Sequence, residues 1–113
     1  MLKVKNQCDC ATTTNINISS PGFTSVDGVS LTSGVSSILV WQQSNEQENG
    51  VWTYNGSGSA LTRRVDWQAG NNCAQWAIYV VGGTANGKGT YVCTQDVAVL
   101  GSNQVHFTIW YKA

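Results

Sequence analysis

A chain of 113 residues is long enough for one domain and too short for two. Only 11% of its residues are charged, the formal net charge is zero, and Lys3, Lys5, Arg63, Arg64, Lys88 and Lys112 are scattered rather than clustered. Phosphate backbones need clustered cations and a membrane-spanning helix needs about 20 successive apolar residues, so neither nucleic acid nor a membrane is an expected partner.

The 42% apolar content supplies a core, while Ser, Thr, Asn, Gln and Gly carry the polarity. That mixture suits hydroxylated strands and tight turns. The opening MLKVKNQCDC contains no apolar run of signal-peptide length. Residues 1–10 read as an extended arm or an edge strand of the single domain, 1–113.

Turn signals separate short apolar runs along the rest of the chain, which is the pattern of an all-β protein. Phe23–Val26 and Val29–Leu31 flank Asp27-Gly28, a pair suited to a type I′ hairpin because both central residues need positive φ. Ser37–Gln42 is a β-rich run. It leads through a polar loop to Asn49-Gly50 and then Val51–Tyr54, a second hairpin with a longer connection. Ala60–Trp67 fits either a strand or a short helical turn, and 68–72 reads as loop.

Trp76–Val81 pairs with Thr90–Thr94 across a glycine-rich turn in which Gly87 and Gly89 are expected to supply positive φ. Trp76–Val81 and most of Val105–Tyr111 are apolar on both faces. Such strands are either covered on both sides or present one face to another subunit. No stretch of ten residues shows helical periodicity. The expectation is a compact antiparallel β-sandwich or partly open barrel of seven to nine short strands with little helix.

Several residues resemble catalytic or binding motifs. Gly82–Thr90 nearly matches a phosphate-binding loop, but Gly89 follows Lys88 where Ser or Thr should ligate magnesium, and a strand follows where a helix should begin. His106, the lone histidine, has no G-x-S-x-G nucleophile elbow to serve. Among the carboxylates, Asp27 is committed to a turn, Glu46 and Glu48 share a polar loop, and Asp66 and Asp96 suit pairing with Arg63 or Arg64. No catalytic residue, cofactor or resident metal is therefore expected.

Cys8, Cys10, Cys73 and Cys93 admit buried thiols, disulfides or a closed zinc site. Cys8 and Cys10 would point the same way on one strand face, about 6–7 Å apart, which strains a disulfide between them. Cys73 and Cys93 are the candidate disulfide. Of the five tryptophans, Trp67 lies beside a polar loop and is the candidate surface aromatic, where an indole can stack on a sugar.

The order of segments carries more information than any one of them. Ala11–Ile18 is followed by Val26–Leu31 with Gly34, Ile38–Val40, Glu48–Trp52 and Leu61–Arg63 with Asp66. Val80-Val81, Gly83-Thr84, Gly89–Thr94, Asp96 and Leu100-Gly101 complete the series. This series resembles a small β module of bacteriophage tail-fibre and related virion proteins, over residues 10 to 110. The chain departs from that pattern at Gly34-Val35-Ser36, where Gly-Asp-Arg is usual, at Val40-Trp41, where Val-Lys is usual, and in its cysteines. The resemblance implies a non-enzymatic virion component: a capsid decoration or minor capsid protein, a fibre segment or a spike. Its implied partners are other virion proteins and further copies of itself, with a trimer favoured, since cyclic symmetry closes an interface. The alternative is a receptor- or glycan-binding module at a particle surface, with a host surface glycan as its partner.

Overall fold

A computed structural model describes residues 2–113; Met1 lies outside the described residues. Ten strands form among them: β1 (Lys3–Val4), β2 (Cys10–Ala11), β3 (Ser25–Val26), β4 (Val29–Ser30), β5 (Ser37–Val40), β6 (Gly50–Thr53), β7 (Thr62–Arg63), β8 (Trp76–Val80), β9 (Gly89–Val92) and β10 (Thr108–Lys112). The protein is all-β, with helix confined to single 3₁₀ turns at Glu46–Glu48 and Val65–Trp67. Two four-stranded sheets, ordered β1-β8-β9-β10 and β2-β5-β6-β7, are accompanied by the hairpin β3-β4.

The N-terminal segment joins the two sheets. β1 runs parallel to β8, and Cys8 continues that seam by bridging Val80. Asp9 then donates its N–H to the Ser37 carbonyl, and β2 runs parallel to β5. One extended segment therefore changes sheet part-way along, as strands do at the corners of sandwiches. Pairing in the rest of the structure is antiparallel, so the sheets are mixed. A parallel partner distant in sequence leaves no hairpin turn to read, and so the N-terminal contribution to both sheets has no local signature.

The strands bury what their alternation dictates. Leu39 and Val51 meet Ile78, Val80, Tyr91, Leu100, Val105 and Phe107 between the sheets. Ile38 and Val40 point the other way and pack with Val26, Tyr54 and Leu61 under the segment that carries Ile16, Ile18, Phe23 and the β3-β4 hairpin. β5 is thereby covered on both faces, and all four of its residues are buried.

The Asp27-Gly28 turn has φ of 51° and 82° at its two positions, with Val26 opposite Val29, which is the two-residue hairpin expected there. The other turn glycines behave differently. Asn49 is extended and Gly50 is already the first residue of β6, so Asn49-Gly50 is not a turn; the 3₁₀ turn before it reverses the chain. Gly50 instead leaves room for the Arg63 side chain, whose Nη1 would lie 2.7 Å from a Cβ at that position. Positive φ in the β8–β9 connection falls on Gly83 and Lys88 rather than on Gly87 and Gly89. Gly87 is needed for close approach, because a Cβ there would lie 2.5 Å from the Gly83 carbonyl oxygen. Gly89 sits inside β9 against the Tyr91 ring.

The loop that resembles a phosphate cradle does hold an anion, and the anion belongs to the protein. The Asp27 carboxylate accepts N–H bonds from Ala85 (3.0 Å) and Asn86 (2.8 Å), and the Asp27 carbonyl accepts from Thr84. Backbone amides arranged to bind a negative group thus clamp the β3-β4 hairpin onto the β8–β9 connection. Asp27→Ala is expected to lower unfolding free energy by about 2 kcal/mol, by loss of hydrogen bonds to a charged group and of a residue tolerant of left-handed φ. Asp27→Asn keeps the turn preference and is expected to lose less. Urea unfolding of the two variants checks this ordering.

Candidate functional site

Trp67, expected at the surface, is fully buried. The Val65–Trp67 turn swings it inward against Trp76 (ring centroids 4.9 Å apart, interplanar angle 86°) and Phe107 (5.9 Å). Its polar sequence neighbours give no sign of this, because a single 3₁₀ turn presents residues two apart to opposite environments: Val65 is exposed and Trp67 is not. Trp67 is therefore corrected from a surface aromatic to a core residue. The ammonium of Lys5 lies 4.1 Å from the Trp76 ring and closes the cluster from outside.

The four cysteines are buried free thiols, so Cys73 and Cys93 are not a disulfide here. They adjoin: the Cys73 thiol is held up chiefly by its hydrogen bond to Cys93, then by burial, and acceptance of that bond holds Cys93 down. Burial pushes Cys8 and Cys10 up to about 12. Cys8, Cys10 and Cys73 are held protonated, Cys93 is not, and all four are enclosed, so reagents reach them slowly. Alkylation of native protein is expected to modify none of them, and alkylation in denaturant without reductant all four, as read by intact mass. A missing pair of adducts in denaturant would reveal a bridge.

His106 lies at the surface with Nδ1 3.3 Å from a Glu46 carboxylate oxygen. It is also a neighbour of Cys93: its backbone N–H and its ring help hold that thiol down, and the same N–H donates to Gln95 Oε1, which Cys93 also bonds. Asp66 pairs with Arg64 at 2.7 Å, and Arg64 also donates to the Asn6 and Gln7 carbonyls, tying the N-terminal segment down. Among the described residues no group of three or more His, Cys, Asp or Glu is placed to hold a metal ion.

The surface that stands out is the C-terminal strand. β10 is an edge strand with β9 on one side only, and all five of its residues are exposed. Ile109, Trp110 and Tyr111 are 49%, 58% and 67% exposed. Side chains of this size at these exposures present roughly 400 Å². The strand is nonetheless well anchored. Val105 and Phe107 enter the core just before it. Beyond its end Ala113 donates to the Lys88 carbonyl, and the Lys112 ammonium bonds the Ala85 carbonyl.

A bulge between Ile109 and Tyr111 interrupts the ladder. Bulges twist an edge away from further strand pairing, so side-chain packing is the contact this edge favours. Register places Tyr111 across Thr90 from Tyr79, itself 39% exposed, and Val4 shares that outer face. A rigid aromatic edge that continues into an apolar outer face is the usual mark of a protein–protein contact. The run Val105–Tyr111 was legible as apolar on both faces. That none of the described residues covers its second half was not.

No protein-family model, curated protein or solved structure matches the chain.

Proposed function

We propose that this protein is a non-enzymatic structural component of a virus particle, a capsid decoration or minor capsid protein, a fibre segment or a spike, that assembles through β10. The uncovered but anchored Ile109-Trp110-Tyr111 edge is the observation that carries this reading. A strand apolar on both faces, left uncovered by the described residues, suits burial against a neighbour. The ordered series of segments that resembles phage tail-fibre modules supports the virion setting, and the low charge favours association over repulsion.

The neighbours are further copies of the chain, as a cyclic trimer, together with other virion proteins. A stable contact buries above about 1,000 Å² in total. The apolar edge and outer face supply its centre, with Trp110 as the natural anchor.

Light scattering is expected to give a mass well above the 12.1 kDa of one chain. Trp110→Ala is expected to weaken association about 30-fold, the effect of losing an interface hot spot of about 2 kcal/mol. Its circular dichroism should not change, because Trp110 holds up nothing in the core. A protein that stays monomeric at high concentration and does not co-purify with particles would overturn the proposal.

A further inference from the structure

A second surface, away from β10, has the make-up of a small-molecule site. Residues 15–19 and 44–48 form the walls of an open groove of about 420 Å³, within the size range of ligand sites. The walls are cross-linked from beneath by Gln43, which is 5% exposed. Its Oε1 accepts the Ile16 N–H, and its Nε2 donates to the Ile16 carbonyl and to Glu48 Oε1, each at 2.8 Å. The Gln43 N–H in turn donates to Asn49, which reaches the Val105 carbonyl in the core. The groove is thus pre-ordered by a chain of hydrogen bonds that runs from part-buried at its walls to fully buried in the core, the support a binding site needs and a solvated loop does not.

Its polar groups have a consistent polarity. The side-chain oxygens of Asn15, Asn17 and Asn45 each accept backbone N–H groups: from Ser44, from Ser19 and Ser20, and from Gln47. That fixes the three carboxamides and leaves their NH₂ donors without a protein partner among the described residues. The second Glu48 oxygen is an acceptor beside them, and Ile16 and Ile18 supply half-buried aliphatic surface. No Lys, Arg or His lines the groove, and Glu48 opposes an anion.

We infer that this groove binds a neutral saccharide. Sugar hydroxyls accept from carboxamides and donate to a carboxylate with the same atom, while the C–H face of a pyranose packs on aliphatic carbon. The inference does not depend on the assembly reading, since the groove and β10 share no residue.

The test is a titration of ¹⁵N-labelled protein followed at the side-chain amide signals of Asn15, Asn17 and Asn45. The probes are glucose, galactose and mannose, their N-acetylated forms, neutral tetrasaccharides of each, and sialic acid. At least one neutral sugar is expected to shift all three amides, and sialic acid none. Affinity for the tetrasaccharide at least tenfold above that for the monosaccharide identifies a polymer as the source, and equal affinities identify a free sugar. Glu48→Gln preserves the bond to Gln43 but removes the charged acceptor, and should weaken binding about tenfold. Unshifted signals of Val51 and Val105 in that variant would show that the fold is intact. The inference fails if no neutral sugar moves these amides, if sialic acid moves them equally, or if Glu48→Gln binds like the parent.

Discussion

Trp67→Ala is expected to lower unfolding free energy by about 3–5 kcal/mol, a large share of the roughly 5–15 kcal/mol that holds a domain together. Trp67 is the largest fully buried side chain and packs edge-on against Trp76 and obliquely against Phe107. Its removal empties the space between the two sheets, where strands on either side cannot collapse without breaking their ladders. Trp67→Phe should cost far less, within about 1 kcal/mol of the parent. The indole Nε1 is the one buried side-chain nitrogen or oxygen among the described residues that has no hydrogen-bond partner. Phenylalanine keeps an aromatic ring beside Trp76 and removes that unpaired donor, which offsets part of the lost volume. Urea unfolding followed by circular dichroism measures both variants. A Trp67→Ala midpoint close to the parent's would mean that the aromatic cluster is not central to the core.

Asn49→Ala is expected to cost about 2–4 kcal/mol through a different mechanism. Asn49 is fully buried, accepts from the Gln43 N–H at 3.2 Å and donates to the Val105 carbonyl at 2.8 Å. Truncation leaves both backbone groups enclosed without partners, and each carries a desolvation penalty of about 1–3 kcal/mol. Asn49→Asp keeps the acceptor, loses the donor and buries a charge, so it should be at least as damaging. Hydrogen exchange at the Gln43 amide provides a local readout: its protection should fall in Asn49→Ala further than that of the β8 and β9 amides. Equal loss everywhere would indicate global destabilisation without the local link.

These two residues show where reading from sequence succeeds and where it stops. Asn49-Gly50 has the composition of a hairpin turn, yet the reversal occurs one 3₁₀ turn earlier and Asn49 becomes a buried cross-link to Val105, 56 positions away. Trp67 has polar neighbours in sequence and aromatic neighbours in space. In both cases the local signal was genuine and the partner was distant. The saccharide groove was equally hidden, because its two walls come together only through Gln43 and lie about 27 residues apart along the chain. A signal was present in the residues: Asn15 and Asn17 alternate with Ile16 and Ile18, and Asn45 follows Ser44.

What the sequence by itself determined was the all-β class, the hairpins β3-β4, β5-β6 and β8-β9, and the doubly apolar character of the last strand. Those features rest on alternation and on turn chemistry, which are properties of adjacent residues. Only the tertiary structure decided that the N-terminal segment joins both sheets in parallel, that Asp27 fills the loop resembling a phosphate cradle, and that Trp67 is enclosed while Trp110 is not. Each of those outcomes depends on which distant surface arrives to cover a side chain or bond a backbone group, and that is set by the packing of whole sheets.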